Sequence, residues 1–306
     1  MTSQSPRPLN DLRFVVVGAY VVDCFARTPE LPVWDSEYEV HSVRTSPGGK
    51  ALNQAVALAR LGVQVSAVGV VGDDGFGYDI LGLLRREGVD VRWMDQRSGV
   101  ATAVCVCLVG DAGESSILWH IDDDVSLTPA TVQQAAEAMD RADAVLMTFE
   151  MPPETISQAI LMAGERGARV IVQPAPALRD LVAARSLPWD RVDLAVPNRA
   201  EAATLIGSEL PEDRLALALH DQLGVRQVVV TLGADGCAIA SEDDHTCYPA
   251  REVVPVDTTG ASDAFTATLA AHLIAGMPEA DAVEAAQRAA ALAISQAGGH
   301  ESMPAY

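Results

Sequence analysis

Asp257-Thr258-Thr259-Gly260-Ala261-Ser262-Asp263-Ala264-Phe265 sets a turn of small residues, Gly260-Ala261-Ser262, directly before an acid, Asp263. A helical pattern follows at once, from Phe265 to Ile274, and ends near Gly276. A helix start presents unpaired backbone N–H groups and the positive end of the helix dipole, so it draws anions. Small residues there let an anionic group approach the backbone closely. A carboxylate fixed at the same point would repel a phosphate ligand and is better placed as a base, taking a proton from a nucleophile that attacks phosphorus. An anion cradle with a base beside it points to phosphoryl transfer.

Outward from this stretch, strands and helices alternate for nearly the full length, the signature of a doubly wound α/β fold with a mostly parallel sheet. Val15-Val16-Val17-Gly18 reads as a buried first strand with Asp23 near its end. Residues 51–61 read as a helix, 63–70 as a strand and 80–87 as a helix ending at Gly88. Later strands are expected over 144–147, 168–172, 193–196 and 227–231, with helices starting near Pro153, Arg199 and Pro211. Two long helical patterns, 265–274 and 278–296, close the chain. Two regions break the rhythm. Residues 37–44 and 101–118 alternate polar and apolar with no helix between partners, and Asp111-Ala-Gly-Glu114 fits a hairpin turn. The economical reading is a small β-sheet lid, spanning roughly 36–45 and 101–121, over the carboxyl ends of the main sheet where α/β folds bind ligands.

With 306 residues and 49% hydrophobic content, the chain can bury a sizeable core, and no run of 18 uncharged apolar residues suggests a membrane span. Met1 to Asn10 lacks the basic and apolar regions of a signal peptide; it reads as a frayed lead-in, and the expected location is the cytoplasm. Cys24, Cys105, Cys107, Cys237 and Cys247 form no metal-ligand spacing and read as small buried hydrophobes, with Cys105 and Cys107 on one strand face. A formal charge of −21 argues against nucleic-acid and anionic-membrane partners. Any site for a phosphate-bearing ligand must therefore build its positive potential locally. Lys50 is the only lysine beside 20 arginines, and it sits in Pro47-Gly-Gly-Lys50, a glycine turn entering a helix.

Both common nucleotide fingerprints are absent. Gly18-Ala-Tyr-Val-Val-Asp23 lacks G-x-G-x-x-G, and Ala51 stands where a P-loop carries Ser or Thr. Asn198-Arg-Ala-Glu201 opens a helix after a strand; its amide and carboxylate can order waters around Mg²⁺ or form a capping box. Thr231-Leu-Gly-Ala-Asp-Gly236 follows a buried strand, and Gly233 and Gly236 permit a tight turn against a phosphate or an ordinary β-turn. Asp23, Asn53 and Glu150 aim polar groups at one crevice, as a hydroxyl-rich ligand requires. The cluster Asp122-Asp123-Asp124 reads as a solvated loop.

Taken together, these residues resemble the ribokinase, or PfkB, family of carbohydrate kinases. Pro47-Gly-Gly-Lys-Ala-Leu-Asn-Gln-Ala-Val56 with Ala59-Arg-Leu-Gly62 is similar to one family signature, and Asp257 to Phe265 to another, about 200 residues later. The resemblance covers essentially the whole chain. It implies a single ribokinase-like domain, residues 1–306, built as a three-layer α/β sandwich with a mostly parallel central sheet and a small β lid, through which many members dimerise. It implies an ATP-dependent kinase for the hydroxyl of an unphosphorylated sugar, a pentose such as ribose favoured. By the same resemblance Asp263 is the base, and Gly260, Ala261, Ser262 and Asp263 form the anion hole. Asp23, Gly49, Lys50, Asn53 and Glu150 hold the sugar. Asn198 and Glu201 tune Mg²⁺ through water, and Thr231 and Gly233 bind the nucleotide. Asp257, Thr259, Ala293, Gly298 and Ser302 form an oxygen cage for K⁺, where Gly298-Gly299 otherwise reads as a helix cap.

Four positions depart from the family pattern: Ser262 replaces a glycine, Ala51 and Leu52 replace more usual residues, and Val21 stands where an amide touches ribose. The alternatives are a nucleoside kinase, with Val21, Leu52, Trp119 and His120 as an apolar wall for a base, and a non-catalytic sugar sensor. A sugar-phosphate substrate wants more cations than a single lysine offers.

Overall fold

The computed structural model describes residues 5–111, 115–176, 178, 180–208, 210–242 and 244–305. The N-terminal half runs β1 (Arg13–Val17), β2 (Val21–Arg27), β3 (Ser42–Gly48), α1 (Lys50–Arg60), β4 (Gln64–Gly72), α2 (Gly75–Arg86), β5 (Asp90–Arg97), β6 (Val104–Val109) and β7 (Ser115–Leu118). The middle adds α3 (Pro129–Gln134), α4 (Ala136–Met139), β8 (Ala144–Thr148), α5 (Pro153–Glu165), β9 (Arg169–Gln173), α6 (Leu181–Arg185), β10 (Leu194–Ala195) and α7 (Arg199–Ile206). The chain ends with α8 (Glu212–Leu223), β11 (Gln227–Thr231), β12 (Cys237–Ser241), β13 (His245–Tyr248), α9 (Ala261–Ile274) and α10 (Glu279–Ile294).

Nine strands form one sheet in the order β13-β12-β11-β10-β9-β8-β1-β4-β5. The pairs from β11 to β5 are parallel, and the β12–β13 hairpin adds two antiparallel strands at one edge. β1 shows why its run of valines reads as a central strand. Side chains alternate across a sheet, and Phe14 and Val16 enter the core under α1, α2, α9 and α10 while Val15 and Val17 enter the core under α3, α5, α7 and α8. The second sheet, β3-β2-β6-β7, is the lid. β2 and β6 run parallel, with β3 and β7 antiparallel outside them.

The central sheet, its flanking helices and the small second sheet match the expected fold class, and several local expectations change. Asp23 does not end the first strand: it lies within β2, which belongs to the lid. The early lid strand covers 42–48 rather than beginning near 36, because its pairing with β2 runs through Pro47 and Gly48. The turn expected at Asp111–Glu114 falls largely outside the described residues. The N-terminal lead-in is docked by residue 7, where Arg7 donates its backbone N–H to the Ala275 carbonyl at 2.8 Å and pairs with Asp143 at 2.6 Å. Cys105 and Cys107 share the buried face of β6, as the alternation predicts. Among the described residues, no helix is long and apolar enough to cross a membrane.

Candidate active site

Asp257 to Asp263 lead into α9 and form its start. Gly260 is the N-cap, with φ of 80°, and a β-carbon there would also lie 2.6 Å from Met303 Cε. The left-handed backbone is what calls for glycine, since the Met303 side-chain end could shift. Position 262 is different: it lies inside the helix and has no left-handed backbone, so serine replaces glycine there without strain. No side chain caps the helix; Ala261 donates its N–H to the Thr258 carbonyl at 3.3 Å, while among the described residues no backbone acceptor takes the N–H groups of Ser262 and Asp263 at the helix start.

Asp263 is buried in the first turn of α9. Asn53 Nδ2 donates to its Oδ2 at 2.8 Å and Gln54 Nε2 lies 3.4 Å from its Oδ1. Burial pushes the Asp263 carboxyl above the ordinary carboxylate range, and the Lys50 ammonium and the amides of Asn53, Gln54 and Gln173 pull it part of the way back. Because α1 carries Lys50, Asn53 and Gln54 in its first two turns, the two sequence signatures meet at this carboxylate.

Lys50 is the first residue of α1, after Gly49 with φ of 94°. Burial alone would lower its pKa, but the combined field of Asp263, Glu150, Glu201 and Asp23 holds it above the usual value. The sole lysine is thus the shared cation of four acids contributed by α9, the end of β8, α7 and the lid. Burial raises Glu150 to about 8 against the pull of Lys50, and Thr148 Oγ1 donates to it at 3.2 Å. Burial likewise raises Asp23 to about 6, countered by the Gly49 backbone N–H and Lys50. A β-carbon on Gly48 would lie 1.9 Å from Asp23 Oδ2, so glycine at 48 is what lets the lid carboxylate lie against the α1 turn.

On the other side of Asp263, Asn198 and Glu201 form the capping box of α7. Asn198 donates its backbone N–H and its Nδ2 to the two Glu201 oxygens, each at 2.8 Å, and Glu201 N–H donates to Asn198 Oδ1 at 2.9 Å. Burial raises the Glu201 carboxyl, opposed by the Asn198 N–H and Lys50. Thr231 ends β11 and bridges to Asn198, and Gly233, at φ of 65°, turns the chain just beyond it.

Behind the α9 turn, buried Asp257 accepts from Thr259 N–H at 2.9 Å and Gly298 N–H at 3.0 Å. Among the described residues no Lys, Arg or His lies within 4 Å of it. Thr259 Oγ1 is buried without a hydrogen-bond partner. Ser302 is buried with its hydroxyl on the Gly299 carbonyl at 2.8 Å, and Ala293 is buried in the last turn of α10. A buried carboxylate with no basic partner beside an orphan hydroxyl oxygen is a donor set suited to a monovalent cation. Asp122, Asp123 and Asp124 lie on a short exposed turn, and no cluster of three or more His, Cys, Asp or Glu suited to a metal occurs among the described residues.

Between the lid and the main sheet lies a narrow crevice lined by residues that include Gly18, Ala19, Val21, Ala103, Ile121 and Glu150. Its lid side is apolar. Leu52, expected in that wall, is instead fully buried in the core under α1, while Trp119 and His120 are solvent-exposed, His120 bonding Asp122 at 3.0 Å. The sequence reading missed Gln54 and Gln173, two fully buried amides bonded to each other beneath Asp263. A lone polar residue in an apolar helix face and another closing an apolar strand were the available signals. It also missed the clamp on the C-terminal tail, where Glu301 accepts from Ser46 and Arg44 of β3 and His300 bonds the Pro47 carbonyl at 2.8 Å.

Comparison with known proteins identifies the family. The chain is 32% identical over 292 residues to ribokinase of Bacillus subtilis, covering 94% of this chain and 95% of that protein. It is 29% identical over 295 residues to deoxyribokinase of Salmonella typhi, covering 94% of each. The structure of Arabidopsis thaliana ribokinase, complexed with ribose and ATP, superposes with a TM-score of 0.79 at 25% identity, covering 98% of this chain and 96% of that one. The sequence profile of the pfkB family carbohydrate kinase matches residues 11–306, and the chain belongs to that family.

Proposed function

We propose that this ATP-dependent carbohydrate kinase phosphorylates a primary hydroxyl of an unphosphorylated pentose such as ribose, with Asp263 as base. The observation that carries the reading is Asp263 itself, buried at the uncapped start of α9 and flanked by the sole lysine and two amides of α1. The substrate hydroxyl attacks the γ-phosphorus of ATP in line. The new O–P bond forms, the bond from γ-phosphorus to the bridging oxygen breaks, ADP leaves, and the hydroxyl proton passes to Asp263. The N–H groups of Gly260 to Asp263 hold the charge that spreads over the transferring group. A raised Asp263 pKa makes the carboxylate a stronger base than a solvated one.

Asp23, Gly49, Lys50, Asn53 and Glu150 orient the sugar, and Thr231 and Gly233 contact the nucleotide. Asn198 and Glu201, bonded to each other in the α7 capping box, would order water around Mg²⁺, which would supply charge neutralisation when bound with ATP. Asp257, Thr259, Ala293, Gly298 and Ser302 would hold K⁺, which would supply a fixed charge behind the Asp257–Gly260 turn. We place the protein in the cytoplasm as one domain over residues 1–306, working as a homodimer.

The apolar lid side of the crevice, with Ala19, Val21, Ala103 and Ile121, favours a second reading, a nucleoside kinase whose base lies against that wall. ADP release with Mg²⁺ and K⁺ across D-ribose, 2-deoxy-D-ribose, D-fructose and adenosine separates the two: turnover confined to adenosine selects the second reading, and turnover of none leaves a sugar sensor. Asp263→Asn is expected to lower kcat roughly 1,000-fold or more, in the range of lost general bases and their positioning, with ATP affinity unchanged. Residual turnover above a few per cent rules out Asp263 as base.

A further inference from the structure

Ser262 is the departure from the family signature that lies closest to the reacting groups, and its surroundings fix the direction of its hydroxyl. Gln173, fully buried at the end of β9, places its Nε2 3.1 Å from Ser262 Oγ. Which end of that amide faces the serine follows from its other neighbour. Gln54, also fully buried, donates its Nε2 to Gln173 Oε1, so the NH₂ end of Gln173 is left for the serine. Ser262 Oγ therefore accepts a hydrogen bond, and its own proton must go elsewhere. Both oxygens of Asp263 face amide donors, from Asn53 and Gln54. Among the described residues, no acceptor takes the Ser262 proton.

The result is a cluster of donors only. The outward N–H groups of the α9 start and the Ser262 O–H converge at one helix end, half-buried, with no side-chain cap. Donors gathered this way are met by water in the free protein and more strongly by an anion. We propose that Ser262 is a catalytic residue of this kinase: its hydroxyl, oriented by the Gln54–Gln173 relay, donates to the transferring phosphoryl group as an additional arm of the anion hole. Gln54 and Gln173 are then positioning residues. The inference rests on the reading of Asp263 as base beside that hole.

The test compares kcat and KM of Ser262→Ala, Ser262→Gly and Ser262→Thr, using whichever of ribose, 2-deoxyribose, fructose or adenosine the wild type turns over fastest. A hydrogen bond to a charged group is worth about a 10- to 100-fold effect. Ser262→Ala and Ser262→Gly are each expected to lose about that much kcat, with KM for ATP and acceptor within twofold. Ser262→Thr, which keeps the hydroxyl, recovers most of it. Affinity for MgADP–aluminium fluoride in the presence of the same acceptor falls by the factor lost from kcat.

Gln173→Met removes the donor that orients the serine. In a double-mutant cycle its effect is expected to shrink when Ser262 is already alanine. An unchanged kcat in Ser262→Ala, or a raised KM for ATP at constant kcat, overturns the proposal. So does full additivity with Gln173→Met. If Asp263→Asn is inactive while Ser262→Ala runs at full rate, the serine assignment alone fails; if Asp263→Asn remains active, the mechanism beneath it fails first.

Discussion

Four carboxylates share one ammonium at the centre of this site, and that imbalance has a measurable pH signature. Glu150 is raised to about 8 and Asp23 to about 6, in both cases chiefly by burial. A carboxyl whose folded-state pKa is raised holds its proton longer in the native protein than in the unfolded chain. Its stabilising contribution is whole below the unfolded value and is lost as pH rises through the folded value. For Glu150 that window runs from its ordinary 4.5 to about 8, and for Asp23 from 3.8 to about 6. A tenfold change in proton affinity is worth about 1.4 kcal/mol, and neighbouring acids that titrate together share it. Glu150→Gln, which keeps an acceptor for Thr148, is therefore expected to stabilise the protein by about 1 kcal/mol or more at pH 8 relative to its effect at pH 5. Urea unfolding of both proteins at the two pH values checks this, and an equal effect at both would mean that Glu150 is solvated.

At the scale of elements, the C-terminal tail joins the two signatures. Arg60, in the last turn of α1, donates to the carbonyls of His300 at 3.2 Å and Met303 at 2.5 Å while pairing with Glu87 at 2.7 Å. Gly298, from the same tail, donates to Asp257 behind the α9 turn. With K⁺ bound at Asp257 as proposed, Arg60→Ala is expected to raise the half-saturating K⁺ several-fold, with kcat recovering at high K⁺. Rates titrated with KCl at constant ionic strength test this, and an unchanged K⁺ requirement would detach the tail from the cation. The resemblance had already grouped Asp257 with Gly298 and Ser302 of the tail, but the anchoring by Arg60 and Glu301 was not legible, because those residues meet their partners only through contacts across more than 200 residues of chain. Elements show the same divide. Strands buried on both faces, such as β1 and β8, read directly as apolar runs. The half-buried edge strand β5 carries Asp90, Arg92, Asp95 and Arg97 and so lacks either an apolar run or an alternation. β2 went unseen because Val21-Val22 read as the continuation of β1, although the chain has crossed into the lid by then. At the site, the glycines and Asp263 were readable from local chemistry; Gln54 and Gln173 act only through folding, being 119 residues apart.

For the whole molecule, the lid poses the remaining physical question, since a four-stranded sheet needs its faces covered. Its inner face packs Phe25, Cys107 and Val109 together, with the Arg44 guanidinium 4.3 Å above the Phe25 ring. The pairing register puts Val43, Ala26 and Leu108 in one row of the opposite face and Cys24, Val106 and Leu118 in the next. Val43 and Leu118 are 62% and 60% exposed there, and Val104 is 40% exposed at the end of the same face. Lone exposed apolar residues are ordinary, but an apolar face spread over all four strands of a sheet is the kind of patch that marks a contact surface. A second copy of the lid is the occupant we predict, giving a two-fold interface in which the same strands meet. Leu118→Glu would bury a charge in that interface and is expected to convert a dimer to a monomer at micromolar concentration, read by light scattering after gel filtration. Because β2 also carries Asp23, which lies against the Gly48–Gly49 turn before α1, the monomer should also show a raised KM for the sugar, with KM for ATP little changed. A wild-type protein that is monomeric at the same concentration would sink the prediction. A dimer unaffected by Leu118→Glu would move the interface to another face of the molecule.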